Sequence, residues 1–361
     1  MSNQNKQRKF TKSLTFKVLC GLAVLVFLGL IYNLIVASDD APMTEQEEEE
    51  VQKRNADADT IDIVGDYLWP NMKPSKEDMM TDEEKAAEAN KAKLDRLASR
   101  YGQTSIEWLE DMTLPAELQS DRGSLSQFGR LFLGTILPES VHQVLYLDGD
   151  TVIKGPLDQL VETPFDGAIV MGVSDTFNKQ YKQVLGIPAD RPMFNSGVLW
   201  IDLDAWRQDK IEDKFIAIIQ KFQGKVLQAD LGILNAALYD RYKQVHPRFN
   251  AMTIFYDFDY RSMLAFKQPV NYYSEAILEE AKTQPVVRHF TTCFASKRPW
   301  VEGSQVAGIE DFKRYYQGAY IQQEEGLMTR LNRKLPQGLF APILGFIQSQ
   351  VRPRLYRYLK K

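Results

Sequence analysis

Apolar and polar positions are distributed along this chain in three regimes. Residues 18–37 form an apolar run broken only by Asn33, preceded by Lys6, Arg8, Lys9, Lys12 and Lys17. About twenty apolar residues is the length that spans a bilayer as a helix. No small-x-small cleavage site ends the run, so the pattern predicts a retained single-pass anchor rather than a removed signal peptide or a buried core segment. Basic residues before it, and Asp39, Asp40 and the glutamate-rich stretch 45–50 after it, put the N-terminus in the cytoplasm by the positive-inside rule. From 41 to 60 apolar groups thin out, and the stretch reads as a solvated linker or polar helix. A strand is predicted over 60–68, a helix over 82–101 and a strand over 105–109. Thr81 caps the helix, Leu94, Leu97 and Tyr101 form its apolar stripe, and Gly102 stops it. This strand–helix–strand rhythm predicts a parallel α/β sheet.

The third regime is a series of short hydrophobic runs, each ending on polar residues. A helical stretch over 127–137 carries Arg130 among apolar neighbours. Four apolar residues, 144–147, read as a buried strand that ends on Asp148-Gly149-Asp150. A further buried strand is predicted over 167–173. A polar Asn195-Ser196-Gly197 turn then runs into the hydrophobic strand ending at Asp202. Asp230 opens a helix, and 285–290 is a strand carrying His289. The tail 338–361 mixes apolar groups with Arg352, Arg354, Arg357, Lys360 and Lys361. That mixture suits an anionic membrane surface or, equally, a helix packed on its own domain.

Composition narrows the possibilities. With 361 residues the chain can bury one large core or two small ones. Its 44 basic and 48 acidic residues, net −4, carry no signal for nucleic acid. Cys20 and Cys293 are the only cysteines, which implies no disulfide framework and excludes zinc sites built on paired cysteines. His142, His246 and His289 are the only histidines. Walker-type phosphate loops, dinucleotide fingerprints and nucleophile elbows are missing from the sequence.

Candidate chemistry centres on Asp148 and Asp150. Side chains two apart on an extended chain point the same way, so both carboxylates can face one ligand. Two hard oxygen donors at the carboxyl end of a buried strand suit Mg²⁺ or Mn²⁺; the plain alternative is a polar turn. An EF-hand is excluded, because the twelfth position from Asp148 is Gln159. Each other candidate has a structural reading beside the functional one. Arg130 is a structural ion pair or a diphosphate and sugar ligand, and Asn195 is turn chemistry or a partner for sugar hydroxyls. Asp230 is a helix N-cap or a site residue, and His289 is a structural histidine or a metal ligand.

Taken together, these stretches resemble glycosyltransferase family 8, the retaining GT-A enzymes that use sugar nucleotides, over about 94–300. The resemblance rests on Gln127-Phe128-Gly129-Arg130-Leu131, the Asp148-Gly149-Asp150 strand end, Phe194-Asn195-Ser196-Gly197-Val198, the segment from Asp230 to Asn235, and His289 through Trp300, in the family's order. It looks most like bacterial members that build surface polysaccharides. The resemblance implies an α/β fold of GT-A type, a Rossmann-like mixed sheet flanked by helices, here with an N-terminal membrane helix. The implied organisation is a basic cytoplasmic tail (1–17), a transmembrane segment (18–37), an acidic linker or degenerate nucleotide-binding start (38–59), the GT-A domain (60–320) and a basic amphipathic tail (321–361).

By the same resemblance, Asp148, Asp150 and His289 hold Mn²⁺, with Mg²⁺ as the alternative. Asp39, Asp40, Arg130, Asp148, Gly149, Asp150, Asn195, Ser196 and Lys297 bind the donor, and Asp230 and Asn195 act at the reacting sugar. The implied activity is Mn²⁺-dependent, retaining transfer of a hexose from a UDP-sugar to a lipid-linked or polysaccharide acceptor. The implied location is a bacterial cell membrane, or alternatively a Golgi membrane. Two departures stand out. Leu231 occupies a position where the family has Gln, and 37–42 lacks two residues of the family's nucleotide-binding start. These keep open a second reading, a non-catalytic relative that binds a glycan or partner enzyme.

Overall fold

The computed structural model describes residues 99, 115, 118, 126–316, 318–323 and 326–351. The chain divides into two units, 1–58 and 59–361, and the described residues all lie in the second. The apolar run 18–37, Asp39, Asp40, the acidic linker and the strands expected at 60–68 and 105–109 lie outside the described residues. Of the helix expected over 82–101 only Ser99 is described, and it is helical. The expectation of a single-pass membrane protein is corrected. Among the described residues no helix is long and apolar enough to cross a membrane. The helix Ile211–Lys221, at 11 residues, is about half the length a span requires.

Seven strands are described: β1 (Gln143–Leu147), β2 (Thr151–Ile153), β3 (Val170–Ser174), β4 (Phe194–Asp202), β5 (Tyr242–Gln244), β6 (Ala251–Met252) and β7 (Val287–His289). They form two sheets, ordered β1-β4-β3-β5 and β2-β7-β6. The parallel sheet read from the first hundred residues does not extend to this block. β4 runs antiparallel to β1 and to β3, β2 antiparallel to β7, and only β3/β5 and β6/β7 are parallel. β1 passes through three residues straight into β2 of the other sheet. The result is a mixed α/β architecture.

Strand β4 divides the core. Leu199 and Ile201 face one apolar cluster, Val198 and Trp200 the other, as the two-residue period of a strand requires. The first cluster is closed by the helices Leu203–Gln208, Ile211–Lys221 and Ala229–Leu238, the second by Tyr260–Lys267, Glu275–Thr283 and Gln337–Phe346. Pairing of β3 with β4 shifts register between Gly172↔Leu199 and Ser174↔Phe194, so 195–198 bulge against a single residue of β3. The polar Asn195-Ser196-Gly197 triplet, expected to be a turn before the strand, is therefore a bulge within it. Bulges bend a strand and re-aim its side chains, and they recur beside active sites.

Other elements depart from the sequence reading in smaller ways. The stretch expected as a helix over 127–137 is a 3₁₀ helix, Ser126–Phe132, running into one α-turn, Leu133–Ile136. β3 begins later than expected because Asp166 and Gly167 take left-handed conformations (φ 49° and 84°). Strand β1 is half-buried rather than buried, being an outer strand of its sheet among the described residues. The described part of the tail packs on its own domain: Phe340, Ala341 and Leu344 are buried. A Cβ at Gly345 would also collide with the Ala265 carbonyl oxygen of the helix it crosses. The basic residues from Arg352 onward lie outside the described residues.

Candidate active site

The turn Asp148-Gly149-Asp150 is where the two sheets meet, because it links β1 of one to β2 of the other. Asp148 N–H donates to the Gly197 carbonyl of the β4 bulge (2.8 Å), and Thr151 Oγ1 closes the turn on the Asp148 carbonyl (2.7 Å). Gly149 sits half-buried between the two carboxylates and contributes backbone only. In the second sheet Thr151 stands opposite His289, and Phe290 N–H donates to the Asp150 carbonyl (2.9 Å). Register alone thus carries the imidazole to the aspartates. Its Nε2 lies 2.9 Å from Asp150 Oδ1 and 3.7 Å from Asp148 Oδ2. One ligand atom from each of Asp148, Asp150 and His289 falls within 4.8 Å of the others.

Each carboxylate is divided between an arginine and this centre. Arg130 pairs with Asp148 Oδ1 (2.9 Å), which also accepts from Tyr146 O–H (2.9 Å), leaving Oδ2 toward His289. Arg298 pairs with Asp150 Oδ2, leaving Oδ1 toward the same nitrogen. Burial pushes the Asp150 carboxyl up, but His289 and Arg298 outweigh it and hold the group below the usual carboxylate range. On the far side of the ring, His289 Nδ1 lies 2.9 Å from Asn250 Oδ1. An Nδ1–H there makes Nε2 the nitrogen that faces the two carboxylates, where a divalent cation can take the place of the Nε2 proton.

The bulge supplies the space for such an ion. A Cβ built on Gly197 would stand 2.5 Å from Asp148 Oδ2 and inside contact distance of His289 Cε1, so only glycine leaves the centre open. Oxygen donors with one imidazole suit Mn²⁺, with Mg²⁺ the harder alternative. The residues present therefore fit a divalent metal.

Arg130 also reaches sideways. Its Nε lies 3.4 Å from Asp230 Oδ2, its NH1 donates to the Ser196 carbonyl (3.1 Å), and its guanidinium stacks 4.4 Å from the centroid of Tyr146. Burial opposes its charge, but Asp148, Tyr146 and Asp230 more than offset that and raise its pKa. Ser196 Oγ donates to Asp230 Oδ2 (3.2 Å). Asp230 is not an N-cap: Gln228 occupies that position, in the left-handed region, and Asp230 lies in the helix's first turn. Gln228 and Ala229 stand at φ 65° and 45°. Two such residues cost roughly 1–3 kcal/mol each, strain that concentrates at functional sites, and here it aims Asp230 inward. Burial raises the Asp230 pKa, with Arg130 opposing the rise.

Asn195 lies deeper than the two aspartates. Its Nδ2 donates to Asp175 Oδ2 (2.9 Å), and its Oδ1 accepts from Gly197 N–H (3.0 Å) and Asn250 Nδ2 (2.9 Å). Lys297 is not brought to the centre; its Nζ donates to the Glu302 carbonyl (3.1 Å). Arg298 takes that place, and its guanidinium lies 4.9 Å from the Trp300 ring centroid. Sequence reasoning missed Arg298, although it stands directly before Pro299-Trp300. It also missed Tyr146, two residues before Asp148 and hence on the same face of the strand. For Asn250 and Asp175 no pattern in the sequence pointed to the centre.

The chain matches the model of glycosyl transferase family 8 over residues 71–303. It is 26% identical over 231 residues to General stress protein A of Bacillus subtilis (strain 168), covering 63% of this chain and 77% of that one. It is also 26% identical over 231 residues to a lipopolysaccharide 1,2-glucosyltransferase of Escherichia coli, covering 62% of this chain and 64%, less than two thirds, of that one. Among solved structures it is similar to an active-site mutant of LgtC, with a TM-score of 0.50 and 23% identity over 63% of this chain and 80% of the other. At that identity the likeness bears on the fold, which is the mixed α/β kind found in GT-A enzymes. A family match spanning well over half of the 361 residues encloses the paired aspartates, the bulge and His289, and this chain is a member of glycosyltransferase family 8.

Proposed function

We propose that this glycosyltransferase moves a hexose, with retention of configuration, from a UDP-sugar to a lipid-linked or polysaccharide acceptor in the building of a cell-surface glycan, and that it depends on Mn²⁺. One observation carries the reading: Asp148, Asp150 and His289 turn acceptor atoms toward a common point that Gly197 keeps open. A divalent metal bound there supplies Lewis-acid stabilisation of charge on a departing diphosphate. The remaining work falls to the chain's own side chains. Arg298, partly exposed beside Asp150, is the cation placed to meet phosphate oxygens, a task for which a planar fork is suited. Asn195 keeps one Nδ2 hydrogen beyond its bond to Asp175, available to a sugar hydroxyl. Asp230, buried and held by Arg130 and Ser196, is positioned to act at the reacting sugar. We assign the catalytic domain to 60–320. The bacterial relatives, one of them a lipopolysaccharide glucosyltransferase, favour a surface glycan as the acceptor class.

A screen of UDP-sugars, reading UDP release with acceptor glycans, tests the proposal. Turnover is expected with Mn²⁺ and its loss with a chelator; no metal-dependent turnover or binding with any UDP-sugar would defeat it. One observation favours the second reading, a relative that binds without catalysis. Leu231, beside Asp230, packs its side chain against the apolar core and offers no hydrogen bond where the family has Gln. If the site is merely weakened, Leu231→Gln should raise kcat several-fold with little change in the KM for donor. An unchanged rate would mean that the position has no role in this chain.

A further inference from the structure

We propose that Asp175, which touches none of the three ligand candidates, determines which nitrogen of His289 faces the metal, acting through Asn195 and Asn250. The inference rests on the metal-site reading above and concerns what orients its imidazole.

The four residues form one hydrogen-bonded chain: Asp175 Oδ2 to Asn195 Nδ2 (2.9 Å), Asn195 Oδ1 to Asn250 Nδ2 (2.9 Å), and Asn250 Oδ1 to His289 Nδ1 (2.9 Å). They come from the end of β3, the β4 bulge, the 3₁₀ turn Pro247–Asn250 and the end of β7, so the chain spans both sheets. Asn195, Asn250 and His289 are all less than 9% exposed. Water therefore cannot substitute freely for a lost partner, and each bond is expensive to leave unmade.

Direction along this chain is forced rather than chosen. A carboxylate only accepts and a backbone N–H only donates. Asp175 at one side and Gly197 N–H at the other admit a single orientation of the Asn195 amide, with nitrogen toward Asp175 and oxygen toward Gly197 and Asn250. Asn250 must then donate to Asn195, which turns its own oxygen to His289. An oxygen there accepts from Nδ1–H, so Nδ1 keeps a proton and Nε2 is the nitrogen left to bind a metal beside Asp148 and Asp150. Asp175 is itself fixed, because its Oδ1 accepts from Thr176 N–H (2.5 Å) and Oγ1 (3.3 Å). Partners that fix the tautomer of a metal-binding histidine are worth about 10–100-fold in metal affinity. Asn250, Asn195 and Asp175 are on this account positioning residues.

Two readouts test the inference, neither needing turnover. Nitrogen-15 histidine spectra of the metal-free protein are tractable because the chain has 3 histidines. Recorded where the ring carries a single proton, they are expected to place it on His289 Nδ1 in the wild type, with loss of that preference in Asp175→Leu. A His289 bare at Nδ1 in the wild type would overturn the proposal. Mn²⁺ alone, followed by loss of the free-ion EPR signal, should bind Asn250→Leu about 10–100-fold more weakly. Asn250→Asp, which keeps an acceptor for Nδ1–H, should bind within a few-fold of wild type. If wild type and Asn250→Leu bind Mn²⁺ equally, the relay is wrong and the metal site stands. If wild type binds no Mn²⁺, the metal reading fails, and the spectra still decide the relay.

Discussion

Replacing Asp150 with alanine is expected to lower kcat/KM for metal-dependent UDP release on the order of 10²–10³-fold, about 3–4 kcal/mol of transition-state stabilisation. Two losses combine. The centre drops from three convergent donors to two, and Arg298 loses the carboxylate that positions it. His289, 3% exposed, is at the same time left without its nearest charged neighbour. Asp150→Asn separates these effects. It keeps the shape and a carbonyl-type oxygen but removes the charge that binds both metal and arginine, so it should recover little activity. Thermal unfolding of both variants shows whether the fold is kept. Activity within tenfold of wild type in a folded Asp150→Ala protein would show that the turn is structural.

Arg130→Met should cost stability first and activity as a consequence. Arg130 is the shared partner of Asp148 and Asp230, and its side chain is only 11% exposed. Removing one partner of such a network strands the other charges, a loss of about 3–5 kcal/mol. Arg130→Lys should recover only part of it, since a single ammonium cannot meet Asp148, Asp230 and the Ser196 carbonyl in three directions. The sign of the pH dependence follows from Asp230. Burial already raises its pKa and Arg130 opposes that, so the variant raises it further. A carboxyl with a raised pKa holds a proton in the folded state that it gives up on unfolding. Stability then falls as pH rises from the ordinary carboxylate range through the folded value. The deficit of Arg130→Met relative to wild type should therefore shrink in acid and widen toward neutrality, as read by denaturant unfolding across that range. A deficit that is independent of pH would mean that Asp230 does not depend on Arg130.

Much of the centre was legible because its residues sit at the ends of hydrophobic runs. Asp148 and Asp150 follow an apolar strand with a single glycine between them, and His289 ends another. Both patterns survive folding because strand register, which depends on apolar alternation, is what brings Thr151 opposite His289. Arg130 stood out as a charge in apolar surroundings and Asp230 as the opening of a helix; in the structure they lie side by side, with Arg130 opposing the rise that burial gives the Asp230 pKa. The bulge was read as a turn because Asn-Ser-Gly has turn chemistry locally. Only pairing on both sides, with β1 and with β3, keeps it in the sheet. Lys297 was named by family resemblance and its neighbour Arg298 was missed, because which of two adjacent side chains faces inward is decided by the backbone path. The Asp175–Asn195–Asn250 chain was invisible for a different reason. It joins residues 20 and 55 apart in sequence, and nothing in local pattern encodes a contact between two amides. The membrane assignment rested on the apolar run 18–37, which lies outside the described residues, and no described helix is long and apolar enough to cross a membrane.

The most direct test of the central claim is the binding of UDP to the wild-type protein with and without Mn²⁺, in the absence of acceptor. If Asp148, Asp150 and His289 hold a metal that in turn holds the diphosphate, Mn²⁺ should tighten UDP binding tenfold or more. By linkage UDP should tighten Mn²⁺ by the same factor, and Asp150→Ala should abolish the coupling. Equal UDP affinity in Mn²⁺ and in chelator would contradict the account.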